Sequence, residues 1–247
     1  MRTELFLEMK NLEKDHWWFR ARREIISDFL IRYIGKKNKV AQALDIGCGT
    51  GFNMKVLLNY AEVVDGLDES EWVIDFNKKD NPNFKIFKSK FPDFNQESQY
   101  QLITLFDVLE HIENDIMAIK QIEKMLKPGG KVLFTVPSFT FLWSKHDILF
   151  GHYRRYCKKE LKKIIMNNTN LEIMKISHFN TFLFPIVVFF RIIKKIFKLK
   201  GDNSDFFYLP NWLNNLLAKI FGAEKSFLRF INFPFGVSII CVLKKNR

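Results

Sequence analysis

Short apolar runs alternate along this chain with amphipathic stretches, and the two periods separate strands from helices. Residues 40–46 form a buried-strand pattern that runs into Gly47-Cys48-Gly49-Thr50-Gly51, after which 52–60 carries helical spacing. A second run, 62–68, ends at Asp68, and Ser70 is placed to cap a helix over 71–79. Residues 84–89 predict a weaker third strand, 101–106 a strong fourth that ends before Asp107, and 113–126 a helix stopped by Lys127-Pro128-Gly129-Gly130. A fifth strand over 131–136, a helix over 158–168 and a strand near 171–178 continue the alternation. Strand and helix in turn imply a parallel sheet covered on both faces.

The last apolar strand, 237–243, follows the sixth after about sixty residues, far more than a connection needs. The intervening residues are rich in Phe, Ile and Lys. The apolar stretch 178–190 stops at Arg191, short of the roughly twenty residues that span a bilayer. Beyond it Arg191, Lys194, Lys195 and Lys198 fall on one helical face, with Phe189, Ile192, Ile193, Ile196 and Phe197 mostly on the other. A second amphipathic stretch covers 211–232. Such helices lie in a membrane interface or form a cap on the core or on a partner subunit, and both readings stand at this point.

The length of 247 residues suits one α/β domain with an extension. Its 27 Phe are many and call for apolar surface beyond one core. The N-terminus is interrupted by acids before any apolar run forms, so a cytoplasmic protein without secretory signal is expected. Cys48, Cys157 and Cys241 lack metal-ligand spacing and are odd in number, which argues for free thiols. Of the net charge of +12, the part from Thr181 onward carries eleven basic and three acidic residues, so the basicity belongs mainly to the tail.

Gly47, Gly49 and Gly51 let the backbone turn sharply beside a ligand, and a helix N-terminus follows. The spacing is G-x-G-x-G, and Phe52 stands where a dinucleotide loop needs its third glycine. With Asp45 two residues ahead, Leu44 to Gly51 resembles the first motif of class I S-adenosylmethionine-dependent methyltransferases. The run Gln101 to Ile112 and the segment Leu126 to Gly130 are similar to the later motifs of the small-molecule type 11 and 12 subgroup, which includes quinone-biosynthesis methyltransferases. Together the resemblance covers residues 40–180. It implies a Rossmann-like seven-stranded sheet, mostly parallel with the last strand antiparallel, helices on both faces and a helical insertion before the last strand. The implied organisation is a helical cap over 1–35, a donor-binding core over 36–180, the insertion over 181–235 and a final core strand over 236–247.

The same resemblance implies S-adenosylmethionine as cofactor, with Asp45, Gly47, Cys48, Gly49, Thr50, Gly51 and Phe106 around it and Asp68 on the ribose hydroxyls. A carboxylate accepts from two vicinal hydroxyls at once, which fits that role. Where an acid often follows the third strand, this chain has Lys88-Ser89-Lys90. DNA amino-methyltransferases carry Asn/Asp-Pro-Pro-Tyr/Phe after the fourth strand, whereas Phe106-Asp107-Val108-Leu109 stands here.

Glu110 and His111 fall at the carboxyl end of the fourth strand, where open α/β sheets bind ligands. His111 is read either as a base or as a residue that orders the loop. Trp143, His146 and Asp147, then His152, Tyr153, Arg154, Arg155 and Tyr156, resemble the substrate loop of a bacterial and archaeal subgroup. His146 or His152 is a candidate base there, and Trp143, Arg154, Arg155 and Tyr156 are candidate acceptor contacts. Residues 15–20, with Trp17 and Trp18, either cover the pocket or pack a helix onto the core. No metal is expected, since the donor is activated by its own charge. The expected acceptor is small or lipid-linked, with peripheral contact to the inner face of a membrane. A catalytically silent donor-binding scaffold and an RNA methyltransferase are the rival readings, the latter disfavoured by the apolar tail; the oligomeric state is not fixed by the sequence.

Overall fold

Seven strands of the computed structural model, which describes residues 3–35, 37–196 and 209–246, form one sheet in the order β3-β2-β1-β4-β5-β7-β6. The strands are β1 (Val40–Ile46), β2 (Ala61–Asp68), β3 (Lys85–Lys88), β4 (Tyr100–Phe106), β5 (Leu126–Pro137), β6 (Glu172–Phe179) and β7 (Ser238–Lys244). The first five pair in parallel, and β7 runs antiparallel between β5 and β6. The architecture is thus the mostly parallel Rossmann-like sheet that the alternation and the resemblance implied. Successive residues of the central strands serve opposite faces. Leu44, Ile103, Phe134 and Ile239 enter one core, while Ala43, Leu102, Leu133 and Ile240 enter the other. Burial on both sides is the reason these strands read as continuous apolar runs rather than as alternating ones.

Helices cover both faces: α1 (Thr3–Glu13), α2 (Trp17–Tyr33), α3 (Phe52–Leu57), α4 (Glu71–Asp80), α5 (Asp115–Met125), α6 (Lys145–Phe150), α7 (Lys158–Asn168), α8 (Phe184–Ile196) and α9 (Asn211–Leu228). Helix α2 lies against α9. The Trp17 N–H donates to Asn214 Oδ1 at 2.7 Å, and Arg229 meets Asp28 at 2.6 Å. Trp17 also sets its ring edge-on to Phe221, so the N-terminal aromatics are partly core packing.

Local details depart from the sequence pattern for identifiable reasons. Lys127 to Gly130, expected to stop a helix before a new strand, instead opens β5 through a register irregularity opposite β4. Gly129 takes φ +78°, and its N–H and the Gly130 carbonyl pair with Lys245, so the backbone stays in the ladder. Ser70 occupies a cap position but makes no side-chain cap bond, and its N–H donates to Asp68 Oδ1 at 2.9 Å. Helix α3 ends at Leu57 rather than at 60, where the chain turns into β2.

The long insertion does form α8 and α9, and its root is polar. Buried Glu224 accepts the N–H groups of Thr181 and Phe182 at 2.6 and 2.7 Å, which ties α9 to the segment that leads into α8. Burial pushes the Glu224 carboxyl up to about 7, although those backbone donors oppose the shift. On α8 the side chains of Ile186, Phe189, Phe190 and Ile192 are exposed. The side chains of Lys194, Lys195, Ile196, Phe197 and Lys198, part of the expected amphipathic pattern, lie outside the described residues.

Candidate active site

Strand order reverses between β1 and β4, so the connections at their carboxyl ends part and leave a crevice. The glycine loop fills one side of it. Gly47, at φ +67°, could not carry a Cβ, which would lie 2.5 Å from Val108 Cγ2. Gly49, at φ +52°, has no atom within 4 Å of such a Cβ, so its surface faces open space where a ligand can approach the backbone. The loop is held from below and behind. Asn77 Nδ2 donates to the Gly49 carbonyl at 2.8 Å and Asn81 Nδ2 to the Thr50 carbonyl at 3.1 Å. Cys48 is buried as a neutral thiol, its acidity suppressed first by burial and then by Asp68 and Asp45.

Two carboxylates flank the loop. Asp45 is buried, accepts from Thr104 Oγ1 at 2.6 Å and leaves Oδ2 without a partner. Burial raises it to about 7. Asp68, at the end of β2, takes the Gly49 N–H on Oδ2 at 3.2 Å and the Ser70 N–H on Oδ1. Its carboxyl is pushed up by burial against those two hydrogen bonds.

The sequence reading overlooked the cation at the centre of the crevice. Arg22, on α2, is buried between Trp18 and Phe106, whose rings lie 4.7 and 5.6 Å from the guanidinium carbon. It pairs with Asp107 at 2.7 Å and donates to Thr135 Oγ1 at 2.7 Å, while its Nε has no partner. Asp107 takes φ +57°, which turns the chain out of β4 and aims its carboxylate back at Arg22. The signal available in sequence was the spacing of Trp18 and Arg22, one helical turn apart on a face the core must cover.

Beyond Asp107 the short turn Leu109–His111 lays down the other half of the site. Glu110 is fully buried, neither carboxyl oxygen has a partner, and burial followed by the charge of Asp107 pushes it well above its ordinary range. Burial, then His152, holds His111 down to about 4. The His111 and His152 rings meet edge-on at 4.6 Å, and His146 lies 6.2 Å from His152 and stacks on Phe150 at 4.3 Å. All three candidate histidines therefore come together.

His152 is held by Asp147, whose Oδ1 lies 2.9 Å from its Nδ1. Burial alone would raise Asp147; the His152 hydrogen bond and the Arg155 guanidinium together hold it well below the usual carboxylate range. Arg155, expected to meet an acceptor, instead spends Nε and a terminal nitrogen on Asp147 at 2.8 and 3.0 Å and its other nitrogen on the Ser138 carbonyl. Tyr156, also expected at the acceptor, is buried with its hydroxyl on Asp115 Oδ2 at 3.0 Å. Both face inward because a buried acid needs a partner, Asp147 of α6 for Arg155 and Asp115 of α5 for Tyr156. Arg154 pairs with Asp115 at 2.9 Å and keeps about a third of its side chain exposed, and Trp143 is 37% exposed.

Donor atoms of Glu110, His111 and His152 lie within 4.8 Å of one another, close enough to converge on a cation. A carboxyl kept neutral by its surroundings suits hydrogen bonding better than the neutralisation of a metal. The other half does fit a nucleoside sulfonium bearing an amino acid. It offers an open glycine surface, the Asp68 carboxylate beside it and orphaned polar atoms in Arg22 and Asp45.

Residues 18–174 match the family model described as a methyltransferase domain. The chain is 27% identical over 161 residues to a ubiquinone biosynthesis O-methyltransferase of Coxiella burnetii, an alignment covering 61% of this chain and 68% of that one. It is 28% identical over 208 residues to an uncharacterized protein of Methanocaldococcus jannaschii, covering 83% and 76%. Among solved structures, the N-methyltransferase NodS from Bradyrhizobium japonicum in complex with S-adenosyl-L-homocysteine superposes with TM-score 0.58 at 14% identity, covering 96% and 91%. A SAM-dependent methyltransferase from Archaeoglobus fulgidus gives 0.57 at 18%, covering 96% and 99%. With a glycine loop, a carboxylate at the end of β2 and a family match over most of its length, this chain belongs to the methyltransferase domain family and is an S-adenosylmethionine-dependent methyltransferase.

Proposed function

We propose that the enzyme methylates a hydroxyl oxygen of a small or lipid-linked acceptor, with His152 as the general base. The observation that carries this reading is the Asp147–His152 pair beside the β4 turn. Asp147 accepts from Nδ1–H, which leaves Nε2 as the basic nitrogen and stabilises the imidazolium formed when it takes a proton. His111, held down by burial, and Glu110, pushed up by burial, add hydrogen-bonding groups beside it.

The bound donor supplies a methyl group made electrophilic by its sulfonium. The residues of this chain do the rest. Gly47 to Gly51 and Asp68 fix the nucleoside and amino-acid portions, and Arg22 offers its free Nε to a carboxylate. His152 removes the hydroxyl proton as the oxygen lone pair forms the new O–CH3 bond and the S–CH3 bond breaks, leaving a neutral thioether. Alignment of the two reactants can supply about 7–11 kcal/mol of the barrier, so positioning is the main contribution. The O-methyltransferase activity in the name of the Coxiella relative supports oxygen as the acceptor atom.

A lipid-linked acceptor would reach this site from the side of α8. Phe184, Pro185, Val188, Phe189, Ile192 and Phe235 line an open cavity of about 460 Å³. Phe184 also packs on Phe139 and Phe141, in the segment that leads through Trp143 to α6, so the apolar surface is continuous with the acceptor loop. Among the described residues no helix is long and apolar enough to cross a membrane, which fits peripheral docking on the inner face. The test is turnover with matched phenol and aniline acceptors, soluble and prenylated, in the presence of anionic vesicles. Methylation of the phenols that is lost in His152→Ala is expected, and methylation of the anilines alone would overturn the reading.

A further inference from the structure

The N-terminal helix α1 lies across the donor crevice and carries a carboxylate into it. Its last residue, Glu13, accepts from the Thr50 hydroxyl of the glycine loop at 2.5 Å, and Glu13 Oε1 has no hydrogen-bond partner among the described residues. The rest of α1 holds this contact from the far side. Phe6 stacks on Trp72 at 5.3 Å, and Lys10 lies 4.3 Å above the Phe76 ring and 3.4 Å from Asp80. These partners all belong to α4, the helix that follows the Asp68 strand. Helix α1 therefore bridges α4 and the loop.

Charges around Glu13 are arranged in alternation. Arg23 donates to the Glu13 carbonyl and lies 4.6 Å above the Phe52 ring, and Arg22 and Arg23 both act on the Glu13 carboxylate. Arg22 also acts on Asp45 and keeps a buried Nε free. Arg22 thus offers a free guanidinium nitrogen, and Glu13, held by Thr50 in the glycine loop, offers its second carboxylate oxygen. The amino-acid end of the donor carries the two opposite charges.

We infer that Glu13 is a donor-binding residue, taking the α-ammonium of S-adenosylmethionine on Oε1 while Thr50 holds Oε2, so that donor binding fastens the N-terminal helix over the crevice. A charge-assisted hydrogen bond of this kind is among the stronger single contacts a folded protein makes. Thr50 acquires a purpose in this arrangement: it fixes the rotamer of Glu13 before the ligand arrives. The contact also ties recognition of the amino-acid portion to the position of α1, which recognition of the nucleoside by Asp68 does not.

Two ligands separate these contributions. S-adenosylhomocysteine carries the amino-acid portion, and 5′-methylthioadenosine has the nucleoside and sulfur without it. In calorimetric titrations, Glu13→Gln is expected to weaken S-adenosylhomocysteine by about tenfold and to change 5′-methylthioadenosine less than about twofold. Equal weakening of both ligands, or of neither, would overturn the inference. Hydrogen exchange of the unaltered enzyme supplies a reading that needs no variant. Saturating S-adenosylhomocysteine should slow exchange in residues 3–13, and saturating 5′-methylthioadenosine should not. Equal protection by the two would show that α1 answers to the nucleoside and would sink the proposal.

Discussion

Asp147 Oδ1 lies 2.9 Å from His152 Nδ1, and the same oxygen accepts from Arg155 Nε at 2.8 Å. One carboxylate therefore orients the candidate base and neutralises a buried cation. The two duties are separable by mutation. His152→Ala is expected to lower kcat by about 10²–10⁴-fold with the Kd for S-adenosylhomocysteine unchanged. Asp147→Asn should lower kcat as well, and in addition cost about 3–5 kcal/mol of stability because Arg155 loses its charged partner. Stopped-time methyl transfer and chemical denaturation read the two effects; an unchanged kcat for His152→Ala would remove it from the chemistry.

The glycine loop separates fold from ligand in a similar way. Gly49 has open space where a side chain would project, so Gly49→Ala should lose only about 1–2 kcal/mol of stability to its left-handed backbone while donor affinity falls sharply. Gly49→Val and Asp68→Ala are expected to abolish donor binding. Calorimetry with S-adenosylmethionine, and with NADH as a control that should give no heat, checks this. Normal binding by Gly49→Val would mean that the loop does not hold the donor.

Glu224 predicts a pH dependence of stability. Its folded pKa, about 7, lies above the ordinary value of 4.5, so the folded chain retains a proton that the unfolded chain has released. The stabilisation is complete below 4.5 and declines as pH rises through 7. Glu224→Gln keeps an acceptor for Thr181 and Phe182 without a charge to bury. Its stability, read from melting curves, should gain on that of the unaltered enzyme between pH 4.5 and 8, by about 3 kcal/mol. Parallel melting curves across that range would contradict the assignment.

Docking at a lipid surface predicts co-sedimentation with vesicles containing anionic phospholipid and weaker binding to neutral vesicles or at high salt. Phe189→Ser combined with Phe190→Ser should reduce binding at least severalfold. Because both side chains are more than half exposed, the melting temperature should hardly move. Retention of full vesicle binding by the double variant would place the contact elsewhere.

Much of the donor half was legible because its determinants are local. The loop from Gly47 to Gly51 needs left-handed backbone at fixed spacing, and Asp68 ends a strand whose apolar run is visible in one dimension. The acceptor half depends on contacts between distant segments. Arg155 reads as an exposed anion ligand until α6 places Asp147 beside it, and Tyr156 until Asp115 takes its hydroxyl. The spacing of Trp18 and Arg22 marked a helix face but not its role, since the partner Asp107 lies 85 positions later and becomes a partner only through the turn out of β4. The strand onset at Leu126 was hidden by glycines that read as a terminator yet accommodate an irregular ladder.

Phe179 and Ser238 are register partners in adjacent antiparallel strands, so the long excursion between β6 and β7 leaves and re-enters the sheet at one place. Its two ends are fixed by the ladder whatever lies between them. A segment mounted in this way can carry a variable part: the exposed face of α8 can be retuned toward another acceptor or surface while β7 still closes the sheet and α9 keeps its contacts with α2. A chimera that carries a relative's α8 surface on this sheet is expected to inherit that relative's acceptor preference, which turnover on matched acceptors would read.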